Sequence, residues 1–114
     1  NKTIIFIMPM ITIKFDDHRV ENADILVLSE TIQKIVSEAT GIKDVFVYAD
    51  SPKIKLKIAP IEVFIEMSAS KIGNRDELFS TIKSKLSKWK KDNNFSQPIN
   101  LTLIPMNWKF EVNI

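Results

Sequence analysis

Met8-Pro9-Met10-Ile11-Thr12-Ile13-Lys14-Phe15 opens the periodic part of this chain, and Pro60-Ile61-Glu62-Val63-Phe64 repeats its beginning. In both places a proline, tolerated at the first position of a strand, precedes a short run rich in β-branched and aromatic residues. Each proline also stands fifteen residues ahead of a new pattern, with apolar residues three and four apart, that begins near Asp24 in one case and Arg75 in the other. The periodicity predicts a strand over 10–15, a helix over 24–40 and a strand over 44–49. The same series then returns as a strand over 61–67, a helix over 75–91 and a strand over 99–104, with a short terminal strand after it. The sequence identity between the two halves is weak, but the order of the elements recurs in full, which is how an internal repeat is recognised.

Each predicted helix has one apolar face. The first carries Ile25, Leu28, Ile32, Ile35, Val36 and Ala39, can be capped by Asn22 or Asp24, and meets Gly41 where a left-handed stop belongs. The second carries Leu78, Phe79, Ile82, Leu86 and Trp89, and Asn74 stands three residues before Glu77 as in a capping box. Helices with one apolar face each suit a single side of a sheet. The expected fold class is therefore α+β: two β-α-β units forming one four-stranded sheet, both helices on the same face, with short edge strands added. Residues 45–48 and 61–65 carry apolar groups on both faces, so the far side of the sheet needs a cover that a second subunit could supply. Residues 53–58, Lys-Ile-Lys-Leu-Lys-Ile, alternate between Pro52 and Pro60. They are expected to form a lysine-guarded edge strand, or to dock on a neighbouring subunit's sheet.

At 114 residues there is room for one domain with a core that needs no staples, and 45% hydrophobic with 26% charged residues is a globular composition. The absence of cysteine rules out disulfides, thiol nucleophiles and thiolate metal sites, and fits a reducing compartment such as the cytoplasm. A net charge of +2 gives no pull towards nucleic acid or anionic membrane. The apolar run over 3–11 has Lys2 in front of it like a minimal signal peptide, yet it lacks a small-residue cleavage site, contains Pro9 and is too short to span a bilayer.

Taken together, Met8-Pro9 before the first strand, Gly41-Ile42-Lys43 leading into Val45-Phe46-Val47-Tyr48, and the doubled β-α-β plan resemble the tautomerase superfamily. That group includes macrophage migration inhibitory factor and carboxymethyl-hydroxymuconate isomerase. Val63-Phe64-Ile65-Glu66-Met67 running into Lys71-Ile72-Gly73-Asn74-Arg75, and Asn107-Trp108-Lys109-Phe110 near the end, resemble the muconate isomerase branch. The likeness covers nearly all of the chain after Met8, so residues 1–8 read as an N-terminal extension and 9–114 as a single tautomerase-like domain.

The resemblance implies a homotrimer with active sites at subunit boundaries, no cofactor, and an N-terminal proline as general base for keto-enol or double-bond isomerisation of a small carboxylate such as a 2-hydroxydienoate. Pro9 is the residue so implied. A free prolyl amine is basic, whereas the internal amide nitrogen of Pro9 in the full sequence is not, so the implied activity requires a chain that begins at Pro9. If Pro9 stays internal, the expectation is a non-catalytic binding or assembly protein on the same scaffold. Lys43 and Arg75 stand where the muconate isomerase pattern has cations that anchor a carboxylate, with Lys43 in place of an arginine and so without its bidentate fork. Lys43 also fits a plain helix C-terminal charge. Trp108 and Phe110 are substrate-binding candidates in the same pattern, and equally anchors for a core or an interface.

Two further signals carry less chemistry. Asp16-Asp17-His18 lacks the spacing of a zinc or carboxylate-bridged site and reads as a strand-end turn, with no metal expected. Lys83, Lys85, Lys88, Lys90 and Lys91 surround Trp89, and an anionic polymer could bind there. Trp89, however, continues the apolar stripe, and lysines at a helix end complement its dipole, so the reading is a solvated basic face without nucleic acid or membrane as partner.

Overall fold

The computed structural model describes residues 9–107, 111, 113 and 114, leaving aside the side chains of 70 and 71. Seven elements follow one another: β1 (Met10–Phe15), α1 (Asn22–Thr40), β2 (Phe46–Asp50), β3 (Ile61–Ser68), a single turn α2 (Ala69–Ile72), α3 (Arg75–Asp92) and β4 (Asn100–Met106). The four strands form one sheet in the order β2-β1-β3-β4. β1 and β2 are parallel across α1, β3 and β4 are parallel across α3, and the two units meet where β1 runs antiparallel to β3. This is the doubled β-α-β, α+β architecture expected from the repeat.

Strand alternation divides the residues between the two sides of the sheet. Ile11, Ile13 and Phe15 of β1 and Ile61, Val63 and Ile65 of β3 face the helices and are buried, against Leu28, Ile32 and Val36 of α1 and Ile82 and Leu86 of α3. Trp89 packs on this core and tilts against Phe95 at a ring separation of 5.2 Å, so it closes the end of the core as its place in the stripe suggested. A buried aliphatic side chain here is worth about 2 kcal/mol, and Ile65→Ala would cost about 2–5 kcal/mol because the two flanking strands hold the cavity open.

Among the described residues nothing covers the opposite face. Phe46 is 42% exposed and Tyr48 57%, and in register with them lie Met10, Phe64 and Ile104. Of the apolar groups on this side, Phe46 and Tyr48 are exposed and Met10, Phe64 and Ile104 half-buried among the described residues.

Two expectations change. Residues 53–58 form an irregular loop, not an edge strand. The loop is fixed to the 16–19 turn by side chains: Lys55 Nζ lies 2.9 Å from Asp17 Oδ1, and Arg19 donates to the Ile58 carbonyl at 2.7 Å. With Lys55 turned inward, Ile54 and Leu56 stand almost wholly in solvent. Glu21, not Asn22 or Asp24, occupies the N-cap of α1, and its side chain makes no capping bond. The proposed terminal strand falls largely outside the described residues. Gly41 does supply the left-handed stop, at φ 72°, and Asn74 caps α3 by accepting from the Glu77 N–H at 3.0 Å. No helix among the described residues is long and apolar enough to cross a membrane.

Candidate active site

One end of the sheet collects Pro9, Lys43 and Arg75. β1 begins there with Pro9, which is fully buried and whose carbonyl accepts from the Phe46 N–H at 3.1 Å. β2 is parallel to β1 and so begins at the same end, directly after the loop that holds Lys43. β3 runs the other way, so its last residues, Met67 and Ser68, lie beside the start of β1. From there α2 and Gly73 return the chain into α3, and β4 finishes alongside β3 with Pro105 in register with Met67. Gly73 has φ 65°, a backbone conformation that strains any side-chain-bearing residue, and this lets two helices follow each other within one residue pair.

The turn between α2 and α3 and the end of β4 enclose an open cleft of about 670 Å³, lined by Ile72, Asn74, Arg75, Asp76 and Pro105 among others. Arg75 is exposed, in the first turn of α3, with Asp76 next to it. Its guanidinium is always charged and offers a planar fork to a carboxylate, while the helix N-terminus beneath adds positive potential. Pro9 does not line this cleft; it is buried directly before β1, at the same sheet end. Lys43 is exposed in its loop and its carbonyl accepts from the Val45 N–H at 3.1 Å. Trp108 and Phe110 lie outside the described residues.

The sequence pattern found the cation of the cleft but not its far wall. Pro105 falls one residue beyond the strand predicted over 99–104, where nothing in the sequence marks it. Its role follows from β4 continuing to Met106 and from proline being compatible with an edge strand.

The opposite end of the sheet holds Asp16, Asp17 and His18, whose ligand atoms lie within 4.8 Å of one another. Both carboxylates are committed elsewhere. Asp16 accepts from the His18 N–H at 3.0 Å and from Arg19 Nε at 2.9 Å, and Asp17 pairs with Lys55. The His18 backbone bond, ahead of Arg19, holds the Asp16 carboxyl below its ordinary range, and Lys55 does the same for Asp17. This is the strand-end turn that the sequence implied, used to fasten the 51–60 loop.

No protein-family model matches the sequence, and no curated protein does. Solved structures match it over most of its length. A 5-carboxymethyl-2-hydroxymuconate delta-isomerase aligns with a TM-score of 0.63 and 11% identity, over 97% of this chain and 93% of its own. A macrophage migration inhibitory factor-like protein from Entamoeba histolytica gives 0.57 and 18%, over 91% and 94%. A fused 4-OT, solved as an asymmetric trimer, gives 0.60 and 11%, over 85% of each chain. At these identities the likeness is one of backbone, and it establishes that the chain has the fold of the tautomerase superfamily.

Proposed function

We propose that this protein is a tautomerase or double-bond isomerase of a small 2-hydroxydienoate or related carboxylate, acting as a homotrimer in the form whose N-terminus is Pro9. The observation that carries this reading is the convergence of Pro9, the Lys43 loop and the Arg75 cleft on one end of one sheet. The fold it shares with the muconate isomerase supports the same reaction class.

In the full sequence the Pro9 nitrogen is an amide and has no basic lone pair. Begun at Pro9, the chain would carry a secondary amine at the head of β1. An α-amino group has a reference pKa of about 7.7–8.0; burial at the Pro9 position would disfavour its protonated form, moving it towards neutrality where a base is most effective. The amine would take a proton from carbon or from the enol oxygen and return it along the conjugated system. Arg75 would hold the substrate carboxylate in its fork, and Lys43 would act as a point charge towards the developing dienolate oxygen.

Three chains test the proposal: residues 9–114, the same chain with Pro9→Ala, and the full 114-residue chain. Each is assayed on phenylpyruvate enol and on a 2-hydroxydienoate. A positioned general base contributes roughly 10²–10⁴ in rate, so the first chain should exceed both others by at least ~100-fold. Equal turnover by the Pro9→Ala chain would remove Pro9 as the base. Intact mass of the protein from its native host then tells which N-terminus exists there.

A further inference from the structure

We infer that the outer flank of α3 forms, with the start of β4, a second binding site that takes an anionic amphiphile: a carboxylate head on an unbranched apolar body. A groove of about 410 Å³ runs between these two elements. Its floor is apolar, from Phe79 and Leu86 on the helix and Ile99 and Leu101 on the chain entering β4. Leu86 is buried, and the other three are half-buried, so they keep apolar surface facing the groove. Lys83 and Lys90 line it as well, three residues before and four residues after Leu86 on the same flank. Two helical turns separate them, about 10 Å along the axis at 1.5 Å per residue.

Charge decides what kind of ligand fits. The stretch from Lys83 to Asp92 holds five lysines and one acid. The acid is spent on Lys88, whose ammonium lies 2.7 Å from Asp92 and is held in its charged form by that contact. Neither Lys83 nor Lys90 has an ion pair among the described residues. A neutral apolar ligand would use the floor and neither cation. A polyanion would draw on Lys85, Lys88 and Lys91 equally, yet these three do not line the groove, and a polyanion has no use for its apolar floor. A single carboxylate with an apolar tail satisfies both halves of the site. The groove shares no lining residue with the Arg75 cleft, although Phe79 stands one helical turn beyond Arg75. The charge and apolar lining that define it make no use of the isomerase proposal.

The test uses the full chain with ¹³C-labelled methyl groups, titrated with hexanoate, octanoate and decanoate below their micellar concentrations. The methyl signals of Leu86, Ile99 and Leu101 should shift, with affinity rising by up to about fourfold per added methylene. Decanol, which keeps the body and loses the charge, should bind at least about tenfold more weakly than decanoate, and so should decanoate to Lys83→Glu/Lys90→Glu. Ser87 also lines the groove and is exposed, so Ser87→Trp, which fills it without changing charge, should abolish the shifts, while Lys85→Glu/Lys91→Glu should retain them. Decanol binding as tightly as decanoate would overturn the proposal. So would displacement of decanoate by a heparin oligosaccharide, or unchanged binding to the Ser87→Trp chain.

Discussion

Asp16 accepts two hydrogen bonds through its carboxylate, from the His18 N–H and from Arg19 Nε, and its own N–H donates to the Pro60 carbonyl at 3.0 Å. Arg19 carries the connection on to Ile58, and Gln97 donates to the Arg19 carbonyl, so Asp16, Arg19 and Gln97 together tie β1, the 51–60 loop and the approach to β4. Its pKa is held below 3.8 in the folded chain, which means the unfolded chain binds a proton first as pH falls. The stabilisation it brings is complete at neutral pH and is lost as pH drops below 3.8 and through the folded value. Asp17, lowered by Lys55, acts in the same direction. Urea midpoints measured from pH 7 to pH 2.5 should therefore be flat for these groups down to about pH 5 and then fall. Asp16→Asn should lower the midpoint at pH 7 and make the acid limb shallower; a variant profile parallel to the parent would assign the acid sensitivity to other groups. Arg75 makes a different prediction. Arg75→Gln in the chain begun at Pro9 should raise the KM for a dicarboxylate by about tenfold or more and leave that for a neutral ketone nearly unchanged. Equal effects on both would mean that the guanidinium does not hold a carboxylate.

The two long helices begin differently, and the difference is measurable. Asn74 satisfies the Glu77 N–H at the start of α3, so Asn74→Ala should cost about 1 kcal/mol in denaturant unfolding. Glu21 at the start of α1 has the extended N-cap backbone, φ −81° and ψ 150°, but no capping bond. Glu21→Ser should stabilise the protein by about 0.5–1 kcal/mol, and no gain would mean that water already satisfies those N–H groups. The caps also mark where the sequence was legible. Strand and helix periods, Gly41 and Asn74 are local signals, and the six elements of the doubled unit are each present within two residues of their expected bounds. The loop over 53–58 alternates as well as any strand here, yet Lys55 pairs with Asp17 and Arg19 binds the Ile58 carbonyl, long-range contacts that no local period encodes. The cleft was legible only at Arg75. Its far wall, Pro105, comes from pairing in register with a strand thirty-eight residues earlier.

Across the whole molecule, the open face of the sheet is divided along its length. In register from edge to edge, Phe46, Met10, Glu66 and Ile104 form one row and Tyr48, Thr12, Phe64 and Thr102 the next, and both lie towards the Pro9 end. The third row, Asp50, Lys14, Glu62 and Asn100, is polar, with Lys14 Nζ 2.8 Å from Asp50. An apolar patch confined to the end that also holds Pro9 is what an assembly with sites at its subunit boundaries requires, and Ile54 and Leu56 on their fastened loop add apolar surface that a neighbour could cover. A contact between unlike surfaces must close into a ring to stay finite, and a trimer is one such closure. Phe46→Lys/Tyr48→Lys places two charges on this patch without touching the helix-facing core, so far-UV circular dichroism should be unchanged. Sedimentation equilibrium should then move from the mass of three protomers to that of one. Turnover by the chain begun at Pro9 should fall in the same proportion as the trimer, because each site would lose the wall that its neighbour provides. A monomeric parent, or a monomeric variant with full turnover, would separate the sheet's open face from catalysis.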